Sequence, residues 1–242
     1  CRYLHRLISK NVLLYTEMVT APALIHGDAD RLLEFNQSEH PIALQIGGSH
    51  PNQLAQATRL GCEAGYDEIN INIGCPSDRV QFGRFGACLM KEPELVSECV
   101  TAMKEASTGA EITVKCRIGV DDQEPKRILP DFIDKVSQNG VSSFTIHARK
   151  AWLSGLSPKQ NRDVPPLDYE LVHEIKKERP ELEIILNGGL QTFDQAVHEI
   201  NKGLDGAMIG RTAYHNPMEI LANADSLFET NTNKKTVNKI ID

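Results

Sequence analysis

No stretch of the 242-residue chain approaches the roughly 20 consecutive apolar residues that a membrane span requires, and the N-terminus carries no signal-peptide pattern. None of the six cysteines (Cys1, Cys62, Cys75, Cys88, Cys99, Cys116) falls in a CxxC pair or a Cys/His metal spacing. That pattern suits reduced thiols in a cytoplasm, rules against a disulfide framework and indicates no metal. No GxGxxG follows an early strand, which disfavours a dinucleotide-binding Rossmann fold. Internal repeats and low-complexity segments are missing too. Basic residues are in deficit, 26 Lys and Arg against 33 Asp and Glu, for a net charge of −7. A nucleic-acid partner would therefore have to be met by a local basic patch.

What remains is an ordinary globular composition with a regular pattern. Short β-branched or apolar runs alternate with helical stretches along most of the chain. Strands are predicted near Val12–Met18, Ile42–Ile46, Glu68–Ile73, Glu111–Arg117, Ser142–His147, Leu182–Leu186 and Gly206–Ile209. Helices are predicted near Pro51–Ala64, Pro93–Ser107, Lys126–Gln138, Leu167–Glu178 and Thr192–Asn201, with a shorter one near Ala29–Asn36 and a helix-like start at Cys1–Ser9. Such alternation means a parallel α/β sheet, doubly wound or closed. The late strands end in Gly-rich turns, Asn187-Gly188-Gly189 and Gly210-Arg211, and phosphate sites after strands seven and eight are a habit of (β/α)8 TIM barrels. The expected fold is therefore such a barrel with its first strand missing, since an open barrel would expose a sheet edge. Residues 1–218 form the barrel in this reading. Residues 219–242 supply a terminal helix, a polar linker over 229–236 and the start of a further helix from Thr236.

In a parallel barrel the carboxyl ends of the strands form the mouth. Those ends carry Glu17, Gln45, Asn72, Lys115, Arg117, His147 and Asn187. One polar residue at a strand end is commonly just solvated; a succession of amide, Lys and His donors suits an anionic conjugated cofactor with a phosphate tail. The segment Glu68-Ile-Asn-Ile-Asn-Ile-Gly-Cys75-Pro is the most informative. Asn70 and Asn72 share one strand face and need partners there, and the Gly74-Cys75-Pro76 turn carries a thiol to the mouth. Taken by itself, Cys75 reads first as a small buried residue filling a tight turn. From His147 to Arg162 there are four basic residues, Arg149, Lys150, Lys159 and Arg162, and no acidic one. Trp152 adds a stacking surface to what is otherwise an ordinary solvated loop.

Glu68-Ile-Asn-Ile-Asn-Ile-Gly-Cys-Pro-Ser followed by Gly86-Ala-Cys-Leu-Met90 resembles the signature of the dihydrouridine synthases. Leu14-Tyr-Thr-Glu-Met18, Ala43-Leu-Gln-Ile-Gly47, Thr113-Val-Lys115, Arg117-Ile-Gly119, Asn187-Gly-Gly189 and Ile209-Gly-Arg211 agree with it in order. The stretch from His147 to Lys159, with Arg162 and Pro165–Asp168, is similar to the A-type bacterial subfamily. The resemblance implies an FMN-bound barrel that uses NADPH to reduce the C5=C6 bond of particular D-loop uridines in tRNA, near position 20 by analogy. It implies cofactor contacts at Gln45, Lys115, His147, Asn187, Gly188, Gly189, Gly210 and Arg211, and a proton donor at Cys75. Asn72 would lie beside the target base, and Arg149, Lys150, Lys159 and Arg162 would meet the RNA. The flavin contact on the first strand and the helical domain that follows the barrel in the family are missing from the chain. No stable protein partner is indicated. The competing readings are a small-molecule FMN barrel of the dihydroorotate dehydrogenase kind and a tRNA-binding fragment without turnover.

Overall fold

The computed structural model describes residues 1–229 and 239–241, with side chains described through Phe228. Its framework is one parallel sheet: β1 (Leu14–Tyr15), β2 (Val19–Thr20), β3 (Ile42–Gly47), β4 (Glu68–Ile73), β5 (Glu111–Arg117), β6 (Ser143–His147), β7 (Glu183–Asn187), β8 (Gly206–Met208) and β9 (Lys239–Ile241). The strands follow one another in the order β1-β3-β4-β5-β6-β7-β8-β9, with β2 paired to the far end of β3. Helices Pro51–Ala64, Pro93–Ala106, Pro125–Ser137, Tyr169–Glu178 and Phe193–Asn201 connect successive strands. Three of them begin on proline, which has no N–H to leave unpaired in a first turn.

Side-chain alternation sorts each strand into two faces. Ile69, Ile71 and Ile73 of β4 join Leu44, Ile112, Val114, Phe144 and Ile146 in a core beneath the helices. Gly61 lets the helix Pro51–Ala64 settle closely on this layer, since a Cβ there would lie 2.6 Å from Ile69 Cδ1. The opposite face encloses a lumen. There Leu13 and Ala43 meet Ile185 and Met208, so the start of the sheet touches the seventh and eighth strands across the interior. The Tyr15 hydroxyl also donates to Glu68 in that space. Curling is reinforced outside the sheet, where Asp225 accepts from the Ser9 hydroxyl at 2.6 Å and from the amides of Lys10 and Asn11. The result is a TIM-barrel-like fold, as the alternating pattern predicts.

Three local expectations change. The strand predicted over Val12–Met18 is interrupted, leaving β1 and β2 with Thr16–Met18 between them. Thr16 donates its amide to the Ala43 carbonyl and accepts the Gln45 amide on its hydroxyl, and regular pairing with β3 resumes only at Val19. The short helix from Ala29 stops at Leu32. Near the C-terminus, Lys239–Ile241 pairs in parallel with β8, from Gly206↔Lys239 to Met208↔Ile241, and is not the helix predicted there. The neighbouring edge of β8 offers unpaired backbone groups that helical periodicity cannot register. The predicted linker, from residue 230 onward, and the first residues of that helix lie outside the described residues.

Candidate active site

Parallel register brings the predicted mouth residues together in tiers. Arg117 pairs with His147, His147 with Asn187, and Asn187 with Met208; one tier deeper, Asn72 pairs with Lys115. Gln45, on β3, joins the same interior through Asn72.

Lys115 reaches across the lumen to donate to Asn187 Oδ1 at 3.1 Å, and Asn187 in turn donates to the Met208 carbonyl at 2.9 Å. Burial, and then the Arg117 charge, push the Lys115 ammonium down to about 8. His147 is pushed well below its ordinary range by burial first and then by Arg117, Lys115, Arg149 and Arg211. It is a neutral imidazole at physiological pH within a cluster of cations. Such a cluster costs free energy while it faces only itself, and an anion placed among these groups would relieve it.

The Gly turns abut this cluster. Gly188 has φ of +109°, and a Cβ there would fall 2.5 Å from His147 Cδ2, so the close approach of backbone to imidazole requires glycine. Tyr169 anchors the turn by donating to the Gly188 carbonyl. Gly210 has open space where a Cβ would be. Arg211, half exposed, is held by Asp163 at 2.7 Å. The side chain of Arg149 turns inward, donates to the Pro165 carbonyl, and leaves its Nε buried without a partner. Burial lowers its pKa and the Arg211 charge adds to the effect, so Arg149 stands with the anion-accepting group rather than with the outer residues of its loop.

The Cys75 thiol sits two residues beyond β4, partly buried, with Sγ 3.5 Å from Ser77 Oγ. Its turn is held from beneath and from the side. Asn72 Oδ1 accepts from the amides of Gly74 and Cys75, at 3.0 and 2.9 Å. The Cys75 carbonyl accepts from Ala87, and Gly86 permits this because a Cβ there would meet that carbonyl at 2.6 Å. Both polar ends of Asn72 are therefore committed to structure. Cys88, the other eligible thiol, donates to the Phe85 carbonyl at 3.1 Å, and burial raises it above its ordinary range.

Arg117, absent from the predicted contact set, ties the parts together. It is buried and donates to the carbonyls of Gly74 (3.1 Å), Lys150 (3.3 Å) and Asn161 (2.9 Å), locking the Cys75 turn to the basic loop. Asn161 builds that loop: its side chain accepts from the Trp152 amide and donates to the carbonyls of Trp152, Leu156 and Ser157. Gln81 adds a second bridge from the carbonyl of Pro76 to that of Leu153. On the outside Lys159 and Arg162 are exposed, and Lys150 lies 5.4 Å over the Trp152 ring. The signal for Arg117 was visible, as an Arg on the polar face of β5; its partners, carbonyls on remote loops, were not.

Fold and site together define a barrel enzyme whose mouth sets a thiol beside an enclosed, glycine-lined cation cluster. The model of the family described as dihydrouridine synthase (Dus) matches residues 1–241, and the chain belongs to that family of oxidoreductases. Among curated relatives it is 53% identical over its whole length to the tRNA-dihydrouridine(20/20a) synthase of Vibrio vulnificus, covering 74% of that protein. It is 56% identical over 93% of its length to the enzyme of the same name from Shewanella oneidensis, covering 66% of it. The solved structure of a DHODH from Eimeria tenella in complex with ferulenol aligns over 79% of this chain and 59% of that one, with a TM-score of 0.55 and 14% identity, which shows a shared fold.

Proposed function

We propose that this chain is an FMN-dependent tRNA-dihydrouridine synthase that reduces the C5=C6 bond of D-loop uridines, with NADPH as reductant and Cys75 as proton donor. The observation that carries the reading is the group of Lys115, neutral His147, Arg149 and the half-exposed Arg211 around two glycine turns, beside a thiol. The residues suit a flavin mononucleotide. Arg149 Nε is a buried donor without a partner, and Gly210 leaves space for a phosphate. Gln45, Lys115 and Asn187 present amide and ammonium groups to a conjugated ring, while Gly188, Gly189, Gly210 and Arg211 would hold its phosphate. The relatives' names supply tRNA and positions 20 and 20a.

When bound and reduced, flavin supplies the hydride that adds at C6 of the uracil. The chain's own part is the proton. Negative charge developing at C5 and O4 is quenched when the Cys75 Sγ–H bond gives its proton to C5, since a thiol is largely protonated at neutral pH. The charge left on sulfur meets Lys115 and Arg117, whose electrostatic balance includes Cys75. Arg117 holds the turn in place by its bond to Gly74. Because the target base must be unstacked, at a cost of a few kcal/mol, RNA contacts outside the mouth are needed. Lys150, Lys159 and Arg162, with Trp152 as a stacking face, suit that task. The six free cysteines suit a reducing compartment, which favours the cytoplasm; among the described residues no helix is long and apolar enough to cross a membrane.

The test is mass spectrometry of tRNA after incubation with the chain, FMN and NADPH. A gain of two hydrogens at a D-loop uridine is expected. A yellow protein that oxidises NADPH with orotate-type acceptors but leaves tRNA unchanged would overturn the reading.

A further inference from the structure

A continuous hydrogen-bond chain runs down the lumen wall from the Cys75 turn to the floor. The amides of Gly74 and Cys75 donate to Asn72 Oδ1. Asn72 Nδ2 donates to Gln45 Oε1 at 2.8 Å, and Gln45 Nε2 donates to Asn70 Oδ1 at 3.0 Å. Asn70 Nδ2 then donates to Thr113 Oγ1 at 2.8 Å, and the Thr113 hydroxyl donates to Glu68 Oε1 at 2.6 Å. Asn70, Thr113 and Glu68 are all buried.

Each carboxamide has a donating and an accepting end, and in isolation either end could face either neighbour. The two termini of the chain remove that freedom. Backbone N–H groups only donate, so Asn72 must turn its oxygen to the Gly74–Cys75 turn and its nitrogen to Gln45. The same logic passes down through Gln45 and Asn70 to Thr113. From the other end Glu68 Oε1 accepts from the hydroxyls of both Tyr15 and Thr113, so Thr113, its one proton spent, must accept from Asn70. Both termini demand the same direction. Reversal would set N–H donors face to face beside the buried Asn70 and Asn72, where the low local dielectric makes such a mismatch expensive.

We propose that Glu68, acting through Thr113 and Asn70, is a positioning residue that fixes the carboxamide orientation of Gln45 and Asn72 and so holds the turn carrying Cys75. This rests on the reading that Cys75 gives the proton and Gln45 faces the cofactor. Glu68 touches neither.

The test uses the whole chain and the variants Thr113→Val, Thr113→Ser, Glu68→Gln and Glu68→Leu. Amide hydrogen exchange at Gly74 and Cys75, read without flavin or tRNA, is expected to quicken on the order of tenfold in Thr113→Val, the scale of one lost buried hydrogen bond. Exchange in the helices Pro93–Ala106 and Pro125–Ser137 stays unchanged. Thr113→Ser, which keeps the hydroxyl, and Glu68→Gln, which can still accept, stay within about twofold of wild type, while Glu68→Leu matches Thr113→Val. With flavin, NADPH and tRNA, kcat falls by a similar factor in Thr113→Val while KM for tRNA holds. If Glu68→Leu does not fold, the threonine pair carries the test. Unchanged exchange at the turn in Thr113→Val, or quickened exchange throughout the molecule, overturns the proposal. The exchange measurement needs no chemistry at Cys75. A Cys75→Ala variant that still forms dihydrouridine would sink the donor assignment and leave the relay standing; wild-type exchange in Thr113→Val would do the reverse.

Discussion

With Lys115 at the flavin, as proposed, flavin binding and fold stability are expected to respond oppositely to alkaline pH. Enclosure and Arg117 bring its ammonium from an ordinary 10.5 down to about 8, and its hydrogen bond goes to the neutral Asn187. In the unfolded chain the same lysine keeps its ordinary value and so binds more protons between about 8 and 10.5. The ligand-free protein therefore gains stability from this group as pH rises through that window. An anionic cofactor reverses the preference. A negative charge on the ring of reduced flavin about 4 Å away contributes ~4 kcal/mol at an effective dielectric near 20, enough to return the lysine to its ordinary range. Binding then draws a proton above pH ~8, and FMN affinity falls about tenfold for each further pH unit. Each tenfold step is worth ~1.4 kcal/mol, for a total near 3 kcal/mol across the window. Anaerobic titrations with reduced flavin, followed by absorbance from about pH 7 to 9.5, beside thermal melts of the apoprotein, read both signs. Lys115→Met is expected to bind FMN weakly with little pH dependence, which also isolates any titration of the ligand. Lys115→Arg keeps the charge and loses the pH slope. A wild-type affinity that stays flat across the range would refute the placement of Lys115 against the cofactor.

In Cys75→Ala, bound FMN and its reduction by NADPH are expected to persist while dihydrouridine formation drops by about 10²–10⁴-fold, the usual loss for a general acid; Cys88→Ala costs some stability and little rate, and the opposite pattern in single-turnover assays would transfer the role. Arg211→Ala weakens FMN by roughly 1–3 kcal/mol, the range of a charge-assisted hydrogen bond, whereas Asp163→Asn frees Arg211 and tightens it; equal retention in both variants would mean the phosphate is held elsewhere. Neutralising Lys150, Lys159 and Arg162 lowers tRNA affinity and flattens its log–log salt dependence by up to about 0.9 per lost contact, with NADPH oxidation by a non-RNA acceptor unchanged. Gly188→Ala, facing both a φ of +109° and the His147 ring, should lower the melting temperature and release flavin together.

Strand positions were legible because alternation is local. Ile69, Ile71 and Ile73 on one face, with Asn70 and Asn72 on the other, can be read without knowing what lies across the lumen. The glycine turns, the Cys75 turn and the family resemblance were likewise contained in contiguous residues, and the fold that they imply is the one observed. What the inward side chains do with one another was decided by tertiary structure. That both ends of Asn72 are engaged, that Arg149 buries its Nε while Lys159 and Arg162 are exposed, and that Asp163 holds Arg211 all depend on groups brought from other strands and loops. Arg117 is the clearest case, since its three acceptors are backbone carbonyls, a group every residue carries. No composition or spacing marks which carbonyl will be left over. Only the curl of the sheet, which sets Gly74, Lys150 and Asn161 around one guanidinium, makes that choice.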